Sequence, residues 1–222
     1  MIEDNFKIIN EKICAASLKI KRNPKEITLV CVVKGRELTQ IKEVLRLGYR
    51  QIGENRVQAA LNIYKQILGV NWHMIGHLQS NKVKDAVKIF DLIHSVDSIG
   101  LAKEINKQAD RIGKVQDLLL EVKTSPEVSK FGFAPEKMSE VYDSILKLNN
   151  IKVRGLMTVA PLTHNPAEAR PYFAKIRQVR DSLDSSWLLS MGMSDDFEVG
   201  IEEGADILRI GRAIFEGKRC QG

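Results

Sequence analysis

Three groups of residues in this 222-residue chain have types and spacing suited to chemistry. The first is Lys34, which ends the apolar, β-branched run 27-ITLVCVV-33 with no acidic neighbour in sequence. A lysine that is partly desolvated or close to another cation has its pKa lowered, and the neutral amine is the nucleophile that Schiff-base formation requires. A lysine at a strand end can also simply extend its ammonium into solvent. The second group is the pair of turns 190-SMGMSD-195 and 209-RIGR-212. Gly192 and Gly211 let backbone N–H groups approach an anion closely, and Ser190 and Ser194 add hydroxyl donors. Ser194 can also cap the helix that follows, and the Arg212 N–H can complete a phosphate cup. The third is Arg209, which from a strand can face an interior and meet a ring nitrogen, or form a buried salt bridge to Glu54 or Asp195. An amine beside a phosphate cup calls for a phosphorylated aldehyde. Pyridoxal phosphate fits, and so does a sugar phosphate in an aldolase. His73 and His77 have the i, i+4 spacing of a helical metal pair, but they fall on a strand and no HExxH is present. We therefore read polar contacts there and no metal.

These residues need elements that bring them together. Strand-like runs at 27–33, 51–53, 72–76, 92–96, 117–122, 153–159, 187–191 and 206–210 alternate with helical patterns. The helices are expected at about 38–48, 57–68, 81–90, 99–111, 135–148, 166–183 and 195–203, after an amphipathic opening helix over 6–21 and before a short final helix. Strands alternating with helices imply parallel βαβ units, and eight of them close into a (β/α)8 TIM barrel. No GxGxxG follows the first strand, which counts against an open doubly wound sheet. Active sites of such barrels lie at the C-terminal ends of the strands, and the loops after strands 7 and 8 often hold phosphate. Barrel closure sets strand 1 beside strand 8, and hence Lys34 beside the 209–212 turn. The segment 123-KTSPEVSKFGF-133 has the look of a lid loop, with Lys130 either lining the site or solvated. No linker or composition break appears, so a single domain over residues 1–222 is expected.

Composition narrows the function class. Hydrophobic residues at 44% and charged residues at 28% describe a folded globular chain rather than a disordered one. The net charge of +6 favours anionic partners, but the Lys and Arg residues are dispersed, and 6% aromatic residues are too few for a base-stacking platform. Nucleic acid is therefore not an expected partner. No apolar run reaches the roughly 20 residues that cross a bilayer, and the acidic start, Met1-Ile2-Glu3-Asp4-Asn5, does not resemble an export signal. Cys14, Cys31 and Cys220 are odd in number and contain no CxxC, which fits reduced thiols in a cytoplasm.

Several motifs in order carry a family resemblance. They are Val33-Lys34, Ile52-Gly53-Glu54-Asn55 with Val57-Gln58, 72-WHMIGHLQSNKVK-84, His94-Ser95-Val96-Asp97-Ser98, Gly155-Leu156-Met157-Thr158, 189-LSMGMSDDFE-198 and 208-LRIGRAIF-215. Over nearly its whole length the chain resembles the YggS/PROSC-type pyridoxal phosphate homeostasis proteins, single-domain relatives of the alanine racemase barrel. The resemblance implies pyridoxal 5'-phosphate held as a Schiff base on Lys34, with Asn55 near the ring. Ser190, Gly192, Ser194, Gly211 and the Arg212 backbone would hold the phosphate, and Arg209 would face the pyridine nitrogen. It also implies a monomer that serves vitamin B6 and amino-acid balance, with cofactor-dependent apoenzymes as possible recipients. One difference stands out: Val33-Lys34-Gly35 replaces the family's usual Ser-Lys-Thr, and two hydroxyls are lost at the mouth of the site.

Binding is favoured over turnover. Arginine only donates and stays protonated, so facing the ring nitrogen it would keep that nitrogen unprotonated and the ring a weaker electron sink. The alternative is a weak amino-acid racemase, which works best with an acid/base on each face of the substrate. Tyr49, Tyr64, Tyr142 and Tyr172 all fall in or beside helices on the outside of the expected barrel, and none is placed for the second face.

Overall fold

The computed structural model describes residues 1–125, 131–163 and 165–217; Lys130 and Cys220 lie outside them. Eight strands form one closed parallel barrel in chain order. They are β1 (Thr28–Val32), β2 (Gln51–Glu54), β3 (Asn71–Met74), β4 (Leu92–Val96), β5 (Gln116–Glu121), β6 (Ile151–Met157), β7 (Leu188–Ser190) and β8 (Ile207–Ile210). The barrel closes where Val30 pairs with Arg209 and Cys31 with Ile210. The helices are α1 (Ile2–Lys19), α2 (Leu38–Arg46), α3 (Val57–Ile63), α4 (Val83–Ile89), α5 (Ile99–Asp110), α6 (Met138–Ile145), α7 (Arg170–Leu183), α8 (Phe197–Glu202) and α9 (Arg212–Phe215). No helix of the described residues is long and apolar enough to cross a membrane.

The period-2 alternation of the strands divides their side chains between two apolar clusters. Cys31, Ile52, Trp72, Met74, Ile93, Leu118, Leu120, Leu156, Leu189, Leu208 and Ile210 join the large cluster shared with the helices. Val30, Leu119, Met157 and Ile207, with Leu92 against them, form a small cluster of their own, the plug inside the barrel. Residues two further along the same strands, Val32, His94, Glu121 and Arg209, therefore also face inwards, one layer nearer the C-terminal mouth. Lys34 follows two residues after Val32, in the turn beyond the strand end and exposed.

α1 begins at Ile2, four residues before the expected start, because Ile2 and Phe6 belong to the same buried stripe as Ile9, Ile13 and Ala16. It packs on α8 and α9 beside the closing seam. Lys12 pairs with Glu198 at 2.6 Å, and Arg22 with Asp206 at 2.5 Å. Gly155 makes the tightest strand contact, since a Cβ there would lie 2.0 Å from the Leu188 carbonyl oxygen.

Candidate functional site

β1 runs out at Val32, and the Val33 N–H still bonds the Gly53 carbonyl at 2.9 Å. The chain then turns back, with the Arg36 N–H donating to the Val33 carbonyl at 3.0 Å. Gly35 occupies the third position of this turn with φ +67°, as a type II turn requires. Lys34 is thus exposed at the apex of a tight turn over the barrel mouth. Among the described residues its ammonium makes no hydrogen bond or ion pair, although its charge reaches the Glu54 carboxyl. Glu54 is buried and accepts from the Asn55 N–H at 2.6 Å and the Arg56 N–H at 3.2 Å. Burial pushes its pKa up, against those hydrogen bonds and Lys34. Asn55 stands half-buried on the next turn of the rim.

Arg209 lies inside the barrel with 4% of its surface exposed. It donates to Ser190 Oγ at 2.6 Å and to the Thr158 carbonyl at 2.9 Å. It pairs with neither Glu54 nor Asp195; Asp195 bonds the Arg212 guanidinium instead. Desolvation lowers the Arg209 pKa to about 10, against the nearby Asp196 and Glu121 carboxylates, and it remains a cation at neutral pH. Behind it runs a buried chain of hydrogen bonds. Ser190 Oγ meets His94 Nδ1 at 2.9 Å, His94 Nε2 meets His73 Nδ1 at 2.9 Å, and His73 Nε2 meets Gln51 Oε1 at 2.8 Å. Burial lowers the His73 pKa to about 4 and that of His94 well below 6.5, so both rings are neutral at pH 7. A neutral imidazole has one donor and one acceptor. Gln51 Oε1 accepts, so His73 carries its proton on Nε2 and His94 also on Nε2. The Ser190 hydroxyl must then donate to His94 while accepting from Arg209.

The second half of the expected cup has mixed outcomes. Gly192 is buried with φ +91°, and a Cβ there would lie 2.9 Å from Phe197 Cα. Gly211 passes so close to β1 that a Cβ would sit 3.2 Å from Val32 Cβ. Ser194 Oγ accepts from the Ala213 N–H at 3.2 Å and so ties the two turns together. Ser190, however, spends its hydroxyl inward on Arg209 and His94, which makes it a support for the arginine rather than a free donor at the rim. His77, the other member of the expected pair, stays at the rim, with Nδ1 3.0 Å from Asp97 and its ring stacked on Phe131 at 3.8 Å.

Comparison with known proteins places this geometry. The sequence profile described as "Alanine racemase, N-terminal domain" matches residues 15–218. A "Pyridoxal phosphate homeostasis protein" of Aquifex aeolicus is 47% identical over 182 residues, covering 79% of this chain and 80% of that protein. One from Pseudomonas aeruginosa is 35% identical, covering 100% of this chain and 97% of its own. The chain belongs to the pyridoxal phosphate homeostasis protein family. Among solved structures, PipY of Synechococcus elongatus with pyridoxal phosphate bound is 35% identical with a TM-score of 0.80, covering 93% of this chain and 99% of its own.

Within this family fold, several residues at the mouth have roles that the sequence did not announce. His94 sat in a motif recognised only as a string, and it proves to be the centre of the buried chain. Glu121 ends β5 half-buried; burial and the nearby Asp97 carboxylate raise its pKa to about 7, against the pull of Arg209. Asp196 is buried, accepts from the Met193 N–H at 2.6 Å, and shapes the β7 turn while facing the arginine's charge. The usable signal was polar residues on the inward parity of otherwise apolar strands. All four tyrosines lie away from the mouth: Tyr49 stacks on Phe6 of α1 at 3.8 Å, Tyr142 packs edge-on against Trp187, and Tyr64 and Tyr172 pack against the shell between sheet and helices.

Proposed function

We propose that this chain binds pyridoxal 5'-phosphate at the barrel mouth, as a Schiff base on Lys34, and acts as a cytoplasmic carrier in vitamin B6 and amino-acid homeostasis. The observation that carries this reading is the buried Arg209, fixed from behind by Ser190 and Thr158, at the same end of the barrel as a lysine with no hydrogen bond or ion pair among the described residues. The residues present fit the group. A Cβ at Gly192 or Gly211 would crowd its neighbours, so the two turns can bring only backbone to an anion. The Gly192, Gly211 and Arg212 backbone with Ser194 would hold the phosphate, Asn55 would lie beside the ring, and Arg209 would donate to the ring nitrogen.

When bound, the cofactor supplies an aldehyde for amines and a ring that can accept electrons. Arg209 limits the second property, since a donor with a pKa of about 10 leaves the ring nitrogen unprotonated. With no tyrosine at the mouth to serve a second face, holding the cofactor and passing it to apoenzymes is favoured over racemisation.

The test is the visible spectrum of the full chain and of Lys34→Ala after incubation with pyridoxal phosphate, followed by borohydride reduction and peptide mapping. We expect a yellow band in the wild type alone and the reduced adduct on Lys34. A wild type that takes up no cofactor refutes the reading. Exchange of the alanine α-hydrogen faster than with free cofactor would establish the racemase instead.

A further inference from the structure

The rim carries a cavity of which the cofactor reading uses only one edge, Asn55. Between the turn from β2 to α3 and the turn from β3 to α4 lies a cleft of about 430 Å³, within the size range of small-molecule sites. It lies across β1 from the β7 and β8 turns, so it is not the expected phosphate cup. Its floor is apolar, with Val57, Met74 and Leu78 buried there. Its walls are polar and cationic, with Arg56, Gln58, Gln79 and Lys82 on the side away from Asn55 and His77 at its edge.

Among the described residues neither cation has an ion-pair partner. The Arg56 guanidinium and the Lys82 ammonium make no hydrogen bond or ion pair with any described residue; the Glu54 carboxyl, which takes two backbone N–H groups on Oε1, feels the Arg56 charge only at longer range. Most basic side chains of the closing seam are paired, as Lys12, Lys19 and Arg22 are. Two cations of different shape without an ion-pair partner among the described residues, sharing one concave surface with two side-chain amides and an apolar floor, suit a ligand with an organic body and a dianionic head. A guanidinium grips such a head bidentately, and an ammonium adds a point charge. The wall residues come from the stretches 52–58 and 72–84, of which the cofactor reading uses only Asn55.

We propose that this cleft is a second ligand site, taking a small phosphate monoester against Arg56 and Lys82 with its organic part on Val57, Met74 and Leu78. The proposal does not require a Schiff base on Lys34.

The test uses the full chain incubated with pyridoxal phosphate and then desalted, which leaves the first site filled if that reading is right and the cleft free of unbound cofactor. The chain is titrated with phenyl phosphate, which has no aldehyde, while the side-chain amide signals of Gln58 and Gln79 are followed by NMR. Saturable shifts of both are expected, at least tenfold weaker in the double variant Arg56→Gln/Lys82→Gln. Because both substituted residues are at the rim, the variant's melting temperature should match the wild type. Shifts confined to the β7 and β8 turns, or no shifts, overturn the proposal. So does saturation by malate, a dicarboxylate, where phenyl phosphate has no effect. Absence of a visible band refutes only the cofactor reading and leaves the Gln58 and Gln79 signals to decide this one.

Discussion

Replacing Glu121 by glutamine should stabilise the cofactor-free protein in a pH-dependent way. Glu121 ends β5 on the inward face of the barrel, where burial and Asp97 raise its pKa from 4.5 to about 7. In the unfolded chain it ionises near 4.5. The folded state therefore holds a proton that the unfolded state has already released between these values, and stability falls as pH rises through that window. The rise of roughly 2.5 pH units corresponds to about 3 kcal/mol at full effect. Solvent at the mouth screens part of this, which leaves an expected 1–3 kcal/mol, on the order of 2–10 °C in melting temperature for a chain of this size. Glutamine cannot ionise, so it carries no such penalty. The assay is thermal unfolding of both proteins at half-unit steps from pH 5 to pH 8. The margin of the variant over the wild type should grow across the range and level off above about pH 7. Any constant difference between a glutamine and a protonated glutamate cancels, because only the change with pH is read. A margin that is flat with pH, or that shrinks as pH rises, refutes the reasoning.

Three further outcomes follow from the site. Nitrogen-detected NMR should find His73 and His94 neutral at pH 6, both with the proton on Nε2; a proton on Nδ1 of either ring would break the proposed direction of the buried chain. Ser190→Ala removes the acceptor for Arg209 and the donor for His94 together, leaving buried groups unpaired, and should cost about 1–3 kcal/mol in urea unfolding; an unchanged midpoint would show that Ser190 does not hold the arginine. Gly35→Ala meets no atom within 4 Å but must adopt φ +67°, so it should lose about 1–2 kcal/mol from backbone conformation alone, and equal stability would refute the type II turn beneath Lys34.

The elements were legible where local pattern and barrel geometry agree. β4 falls on the expected residues 92–96, because a β-branched apolar run between a helix and a cap at Ser98 has one reading. Helix lengths were less legible. The pattern 57-VQAALNIYKQIL-68 is helical throughout, yet α3 stops at Ile63 and a 3₁₀ turn covers 64–66. Leu68, which a longer helix would bury, is 81% exposed, and Gly69 with φ +68° turns the chain towards β3. α6 and α7 likewise open with 3₁₀ turns at Pro135 and Pro166 rather than with α-helix. For the candidate site, the placement of Lys34, Gly192, Gly211 and Arg209 at one end of the barrel was legible because glycine spacing and strand ends are local features. The inward engagement of Ser190 was not, since its partner His94 lies 96 residues away and a hydroxyl in a glycine turn reads equally well as a free donor.

The buried chain behind Arg209 bears on whether the site holds or transforms. Its donors all run one way, from Arg209 to Ser190, His94, His73 and Gln51. Passing a proton along it would require a charged histidine, but His73 titrates near 4 and burial holds His94 well below 6.5. At pH 7 the charged form of His73 is populated at about one part in a thousand, a cost of about 4 kcal/mol before any chemistry. A general acid works best with a pKa near the operating pH, and neither ring has one. Arg209 itself, near 10, does not give up its proton at neutral pH. Every group from the arginine to Gln51 is therefore locked in one protonation state and one orientation. Such a chain fixes where a cation sits and itself supplies no acid or base.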